Sequence, residues 1–124
     1  MKELLPEIVI LALNTDTVPK ELSFLQAHGF NPIHVQGVYK GISEDSYLIP
    51  IKGMEELERL KVIALQHGQE SILYADETRT AKLLYLTTGE QVPLGTLQPI
   101  GEVEALNSLS YTYVPETNMY WGTK

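Results

Sequence analysis

The sequence predicts a single α+β domain, and three observations carry that reading. Residues 7–13, Glu-Ile-Val-Ile-Leu-Ala-Leu, are a short β-branched apolar run of the length of a strand buried on both faces. Two later segments, residues 18–28 and 54–67, place apolar side chains at helical spacing, and each is closed by a glycine, Gly29 and Gly68. Around them lie strand-like runs that pair naturally into two hairpins.

Taken in order, the run at 7–13 is a central strand. Asn14-Thr15-Asp16-Thr17 are residues whose side chains cap helices, and Pro19 falls in the first helical turn. Leu22, Phe24 and Leu25 supply the apolar face of that helix. Residues 32–39 alternate apolar and polar, the period of a half-buried strand, and residues 46–51 read as its partner. Residues 40–45 then become the hairpin connection.

In the second helix Met54, Leu57, Leu60, Ile63 and Ala64 share one face. Residues 71–75 and 81–86 are two more strands, joined through Asp76-Glu77-Thr78-Arg79-Thr80. The order β-α-β-β-α-β is that of a ferredoxin-like sandwich, here with an additional antiparallel strand and two helices on one face. Beyond Thr87, residues 92–100 suit an edge strand interrupted by Pro93 and Pro99, and residues 102–109 a short helix. The aromatic stretch containing Tyr111, Tyr113, Tyr120 and Trp121 is too rich for a solvated tail and docks on the core or on another subunit. The expected domain covers residues 1–124, with a core at about 7–90 and an extension at 91–124.

At 124 residues the chain buries roughly two-thirds of its unfolded surface, enough for one real core. Nine basic against 16 acidic residues give a net charge of −7, which repels phosphate backbones and argues against nucleic acid. Without cysteine, disulfides and thiolate metal sites are excluded, and a reducing cytoplasm is permitted. The six apolar residues 8–13 are too few for a signal-peptide core or a membrane span, so a soluble cytoplasmic protein is expected.

Tracing the expected strands up and down brings residues 14–17, 39–46 and 67–71 to one end of the sheet. Loops gathered on a rigid edge are common places for function. Tyr39, where its strand meets the hairpin, can donate its hydroxyl to an anionic group such as a carboxylate; it can equally be a half-buried strand tyrosine. Glu44 can accept from a ribose diol or an ammonium group, against the plain reading of a solvated loop carboxylate. Gln69 and Glu70 follow a helix-ending glycine and precede a buried strand, a position that aims side chains into the cluster but also one typical of a polar turn. Their convergence carries the hypothesis.

Other constellations fall short. His28, His34 and His67 lack metal-ligand spacing. No nucleophile elbow surrounds a serine, and the glycines at 37, 41 and 53 match no phosphate-binding loop.

The pattern Gly37-Val38-Tyr39-Lys40-Gly41, Ser43-Glu44, an amphipathic helix, then Gly68-Gln69-Glu70-Ser71-Ile72-Leu73-Tyr74 resembles the phage S-adenosylmethionine lyases, formerly called S-adenosylmethionine hydrolases. The resemblance follows residues 7–90 in element order through short motifs, and nothing beyond Leu94 matches. It implies a homotrimeric αβ sandwich with sites between subunits, converting S-adenosylmethionine to methylthioadenosine and homoserine lactone without a cofactor. It further implies that Tyr39 contacts the reacting methionine part of the substrate, while Glu44, Gln69 and Glu70 hold the ribose and adenine side or the charged groups. Tyr39, Glu44 and Glu70 are thus the expected catalytic residues, and Ser46 and Gln69 join them in the expected substrate-binding set. Such an enzyme lowers the methyl-donor supply that some restriction systems use. Two other readings stay open: a non-catalytic small-molecule-binding module, and an inhibitor protein that works through its acidic surface.

Overall fold

Successive side chains of the first strand, β1 (Glu7–Ala12), have two different apolar destinations. Val9 and Leu11 enter one buried cluster, and Ile8 and Ile10 enter another. A strand buried on both faces needs a layer on each side, and the chain supplies helices on one side and its own remaining strands on the other. The structure, a computed structural model, describes residues 7–12, 18–39, 41–108 and 111–123.

The other elements are α1 (Val18–Ala27), β2 (Ile33–Tyr39), β3 (Ile42–Ile51), α2 (Gly53–Gln66), β4 (Ser71–Ala75), β5 (Thr80–Tyr85), β6 (Gln91–Ile100), α3 (Glu102–Asn107), β7 (Tyr111–Val114) and β8 (Met119–Thr123). The strands close into an antiparallel barrel in the order β1-β3-β2-β7-β8-β6-β5-β4. An eight-stranded barrel is just wide enough to be filled by side chains or to hold one small ligand.

This overturns the expected ferredoxin-like sandwich. The order β-α-β-β-α-β is present in the first 75 residues, and β4-β1-β3-β2 are neighbours, but these strands are only half of the sheet. β5, β6, β8 and β7 continue it around until β7 pairs with β2. The inner faces of the first strands, which a two-layer sandwich leaves to solvent, are covered by the opposite barrel wall.

Outside the barrel, Leu25 of α1 and Leu57, Leu60, Ile63 and Ala64 of α2 pack with Val9, Leu11, Tyr47, Ile49, Ile51, Ile72, Tyr74 and Leu84. Truncating a fully buried leucine such as Leu60 to alanine costs about 2–5 kcal/mol. Inside, Ile8, Ile10, Val35, Ala75, Ala81, Leu97 and Val114 form the second cluster, flanked by Leu48, Leu73, Leu94 and Trp121. Phe24 and Met54, expected on apolar helix faces, are instead exposed; the Phe24 ring lies 4.4 Å from the His28 ring.

Two more expectations change. Residues 42–45 belong to β3, not to a loop, and Gly41 at φ +80° makes the turn. β6 is not an edge strand: its first part, from Gln91 to Thr96, pairs with β5 and its second, from Leu97 to Ile100, with β8. Each half is laddered to one of these neighbours, which is why Pro93 and Pro99, lacking an N–H, are tolerated. The aromatic segment becomes β7 and β8, which complete the wall. Among the described residues no helix is long and apolar enough to cross a membrane.

Candidate functional site

The strand register fixes which chain segments share a rim of the barrel. Ala12 at the end of β1 is opposite Ser46 of β3, and Ile10 is opposite Leu73, so Ser71 at the start of β4 belongs to the same end. The β2–β3 turn between Tyr39 and Ile42 and the Tyr85 end of β5, opposite Ser71, lie there too. The expected contribution of residues 14–17, and Lys40 with them, lies outside the described residues.

Below this rim the lumen opens into a cavity of about 350 Å3. Its lower wall is mainly apolar, with Ile10, Leu73, Leu97 and Trp121, and its polar groups include Glu44, Ser46, Ser71 and Tyr85 at the rim, with Tyr111, Thr112 and Thr123 also in the lining. A concave, mainly apolar chamber with a few convergent polar groups is the usual form of a small-molecule site. Glu44 is the one charged residue among the described residues of its lining.

Glu44 and Ser46 face the chamber because β3 extends through residues 42–45. A regular strand alternates its faces, so the positions of Glu44, Ser46 and Leu48 turn inward while Tyr47 and Ile49 meet the helices. Ser46 is 5% exposed, and its hydroxyl reaches the Glu44 carbonyl oxygen only at 3.5 Å, a long contact for a hydroxyl donor. Across the ladder Glu44 is opposite Gly37.

The remaining expected residues sit around this chamber differently. Tyr39 pairs by its backbone with Ile42 two residues beyond Gly37; its side chain lies outside those described. Gln69 is half-buried between α2 and β4, and its N–H donates to the Ala64 carbonyl at 2.9 Å. Glu70 is exposed, and its carbonyl accepts the Leu86 N–H at 3.0 Å. These two hold the segment that delivers Ser71 to the rim. The histidines are apart from it: His34 Nε2 is 3.1 Å from Asp45 Oδ1 on the surface, and His28 and His67 lie against Phe24.

Residues 12–124 match the S-Adenosylmethionine lyase family. The chain belongs to that family. No curated protein is significantly similar to it. In this family member only Glu44 and Ser46 of the chamber's lining were assigned to the site from sequence; among the lining residues not assigned are Ser71, Tyr85, Tyr111 and Trp121. Ser71 and Tyr85 are legible only once their strands are known to face a lumen, whereas Trp121 stood out as an aromatic whose docking place was open.

Proposed function

We propose that this chain is an S-adenosylmethionine lyase that converts its substrate to methylthioadenosine and homoserine lactone. The observation that carries the reading is membership of the S-Adenosylmethionine lyase family over residues 12–124. The substrate's own carboxylate oxygen attacks its γ-carbon. The bond from that carbon to the sulfonium breaks, and its electron pair stays on sulfur to give a neutral thioether. No proton has to move, so the protein's task is to hold a near-attack geometry.

The upper chamber suits that task. Glu44 offers a carboxylate to the substrate's ammonium or ribose hydroxyls, Ser46 and Ser71 offer hydroxyls, and Trp121 offers an aromatic face to a sulfonium. Positive charge is lost from sulfur during the step, so a single carboxylate at the rim is better than a strongly anionic pocket, which would favour the ground state. We assign substrate contact to Tyr39, Glu44 and Ser46, and to Gln69 and Glu70 at the neighbouring connection. A homotrimer with sites between subunits is part of the proposal and is tested by the mass in solution.

The deciding experiment is incubation with S-adenosylmethionine followed by chromatography and mass spectrometry. Methylthioadenosine together with homoserine lactone is the expected result. Methylthioadenosine with homoserine and no lactone at early times indicates hydrolysis, and intact substrate overturns the enzymatic reading.

A further inference from the structure

At the other end of the barrel the lumen contains a second cavity, of about 230 Å3. Ile10, Leu97, Thr112 and Trp121 line both chambers and so lie between them. Ile8, Leu48, Pro50, Val114 and Met119 belong to the second alone, and its wall is mainly apolar. Ile8 is opposite Pro50 on one side and Ala75 on the other, which places this chamber at the end of the barrel that carries the β4–β5 hairpin.

That hairpin supplies the one charged residue among the described residues of the lining, Arg79. The Asp76 carboxylate accepts the Thr78 N–H at 2.9 Å, the Thr78 hydroxyl at 2.7 Å and the Thr80 N–H at 3.1 Å. The Arg79 N–H donates to the Asp76 carbonyl at 2.9 Å, and the Arg79 carbonyl accepts the Leu97 N–H at 2.8 Å, so the residue is tied to β6 as well as to its own turn. Its Nη1 lies 3.5 Å from the Asp76 carbonyl oxygen. Burial lowers the guanidinium's proton affinity, and the Asp76 charge beside it acts in the opposite sense. The guanidinium is thus engaged within the hairpin, and its charge is answered there.

The lining selects against charge of either sign. A cation meets the guanidinium, an anion has Asp76 as a neighbour, and both lose their hydration among apolar walls. Water is a poor tenant, because a buried water needs about three polar partners. The Thr117 hydroxyl lies 3.5 Å from the Val114 carbonyl oxygen, and Arg79 is held by its turn.

We infer that this second chamber binds a small neutral apolar molecule, about the size of a singly substituted benzene, among Ile8, Leu48, Val114 and the wall shared with the first chamber. Size supports the choice: an apolar cavity of about 150 Å3 takes up benzene, so this one has room for a short substituent. The driving force is removal of the guest's apolar surface from water. The first chamber, whose charged residue is Glu44, favours cations, so the two halves of one lumen sort ligands by charge.

Toluene is the probe, with benzoate and benzylammonium as its charged counterparts. Titrating the full chain is expected to give saturable one-to-one toluene binding by calorimetry, with each ion at least about ten-fold weaker. In methyl NMR spectra of the wild-type chain, toluene is expected to shift Ile8, Leu48 and Val114, which line only the second chamber, and to leave Leu73, Leu83 and Leu94, which line only the first. Val114→Phe fills the second chamber and is expected to weaken toluene at least about ten-fold. Absence of saturable binding, equal affinity for either ion, shifts centred on Leu73, Leu83 and Leu94, or unaltered affinity in Val114→Phe overturns the assignment. Should Val114→Phe fail to fold, the methyl shifts of the wild-type chain decide alone.

Discussion

Gly37 and Ser46 approach each other so closely across the β2–β3 ladder that a Cβ on Gly37 would lie 2.9 Å from the Ser46 Oγ. The glycine is there for space, because its backbone is not in the left-handed region. Both residues line the upper chamber, so the missing Cβ sets where the Ser46 hydroxyl can stand.

Gly37→Ala is therefore expected to push the Ser46 side chain aside with little change in fold. Overpacking costs about 1–3 kcal/mol and the stiffer unfolded chain returns about 0.4–1 kcal/mol, leaving a net loss near ~1 kcal/mol. Turnover of S-adenosylmethionine should fall at least ten-fold. Denaturant unfolding and initial rates check the two parts separately, and wild-type turnover would remove Ser46 from the site.

Tyr39→Phe and Glu70→Gln are each expected to lower turnover at least ten-fold, on the order of 1.4 kcal/mol of transition-state stabilisation, without unfolding the protein. The Glu70 result is the more discriminating, since that residue is exposed and stands beside the chamber. Normal rates in Glu70→Gln with a strong loss in Glu44→Gln would confine the site to the lumen.

Tyr74 donates its hydroxyl to the Glu7 carboxylate, whose other oxygen accepts the Gly53 N–H at 2.8 Å. One carboxylate thus ties β1 to β4 and to the start of α2. Tyr74→Phe should cost about 1–2 kcal/mol in denaturant unfolding, the range for a partly exposed hydrogen bond to a charged group. Burial first, and Glu7 second, raise the Tyr74 proton affinity above its ordinary value of 10. The tyrosine's contribution is therefore complete below pH 10 and is lost as pH climbs towards the higher folded value. The phenylalanine variant should show a shallower alkaline decline.

The hydrogen bond from the Thr78 hydroxyl, chief among those Asp76 accepts, keeps the Asp76 carboxyl below its usual value of 3.8. The unfolded chain takes up that proton first, so the stabilisation is present above about pH 4 and disappears as pH falls through the lower folded value. Asp76→Ala should cost about 1–2 kcal/mol at pH 7 by losing those bonds, and the difference from wild type should shrink towards pH 3. Urea titrations at both pH values test it.

Among the described residues from 7 to 86, local structure was legible apart from residues 42–45, because each of the other elements satisfies its own pattern. Gly29 and Gly68, at φ +87° and +79°, close the two helices as read, and the spacing of Leu57, Leu60 and Ile63 names the buried stripe. The barrel was not legible, because Ile8 and Ile10 look alike whether their cover is a helix or another strand. Pro93 and Pro99 argued for an edge, and only the change of partner along β6 removes that argument. Glu44 was read in the right neighbourhood but on a loop; its inward orientation follows from four more residues of strand. Tyr85 carried no chemical signal until the lumen existed, and Trp121 stood out only as an aromatic without an assigned place.

The closure of the wall by β7 and β8 also sets an order of events during synthesis. Until residues 111–123 have left the ribosome, β2 and the later part of β6 are open edges, and Ile10, Leu48 and Leu97 lie on an uncovered sheet rather than around a chamber. Open edges of that kind template pairing with other chains. Without β7 and β8, the facing edges of β2 and β6 are left open to such pairing, and the upper chamber lacks the wall that Tyr111, Thr112 and Trp121 supply.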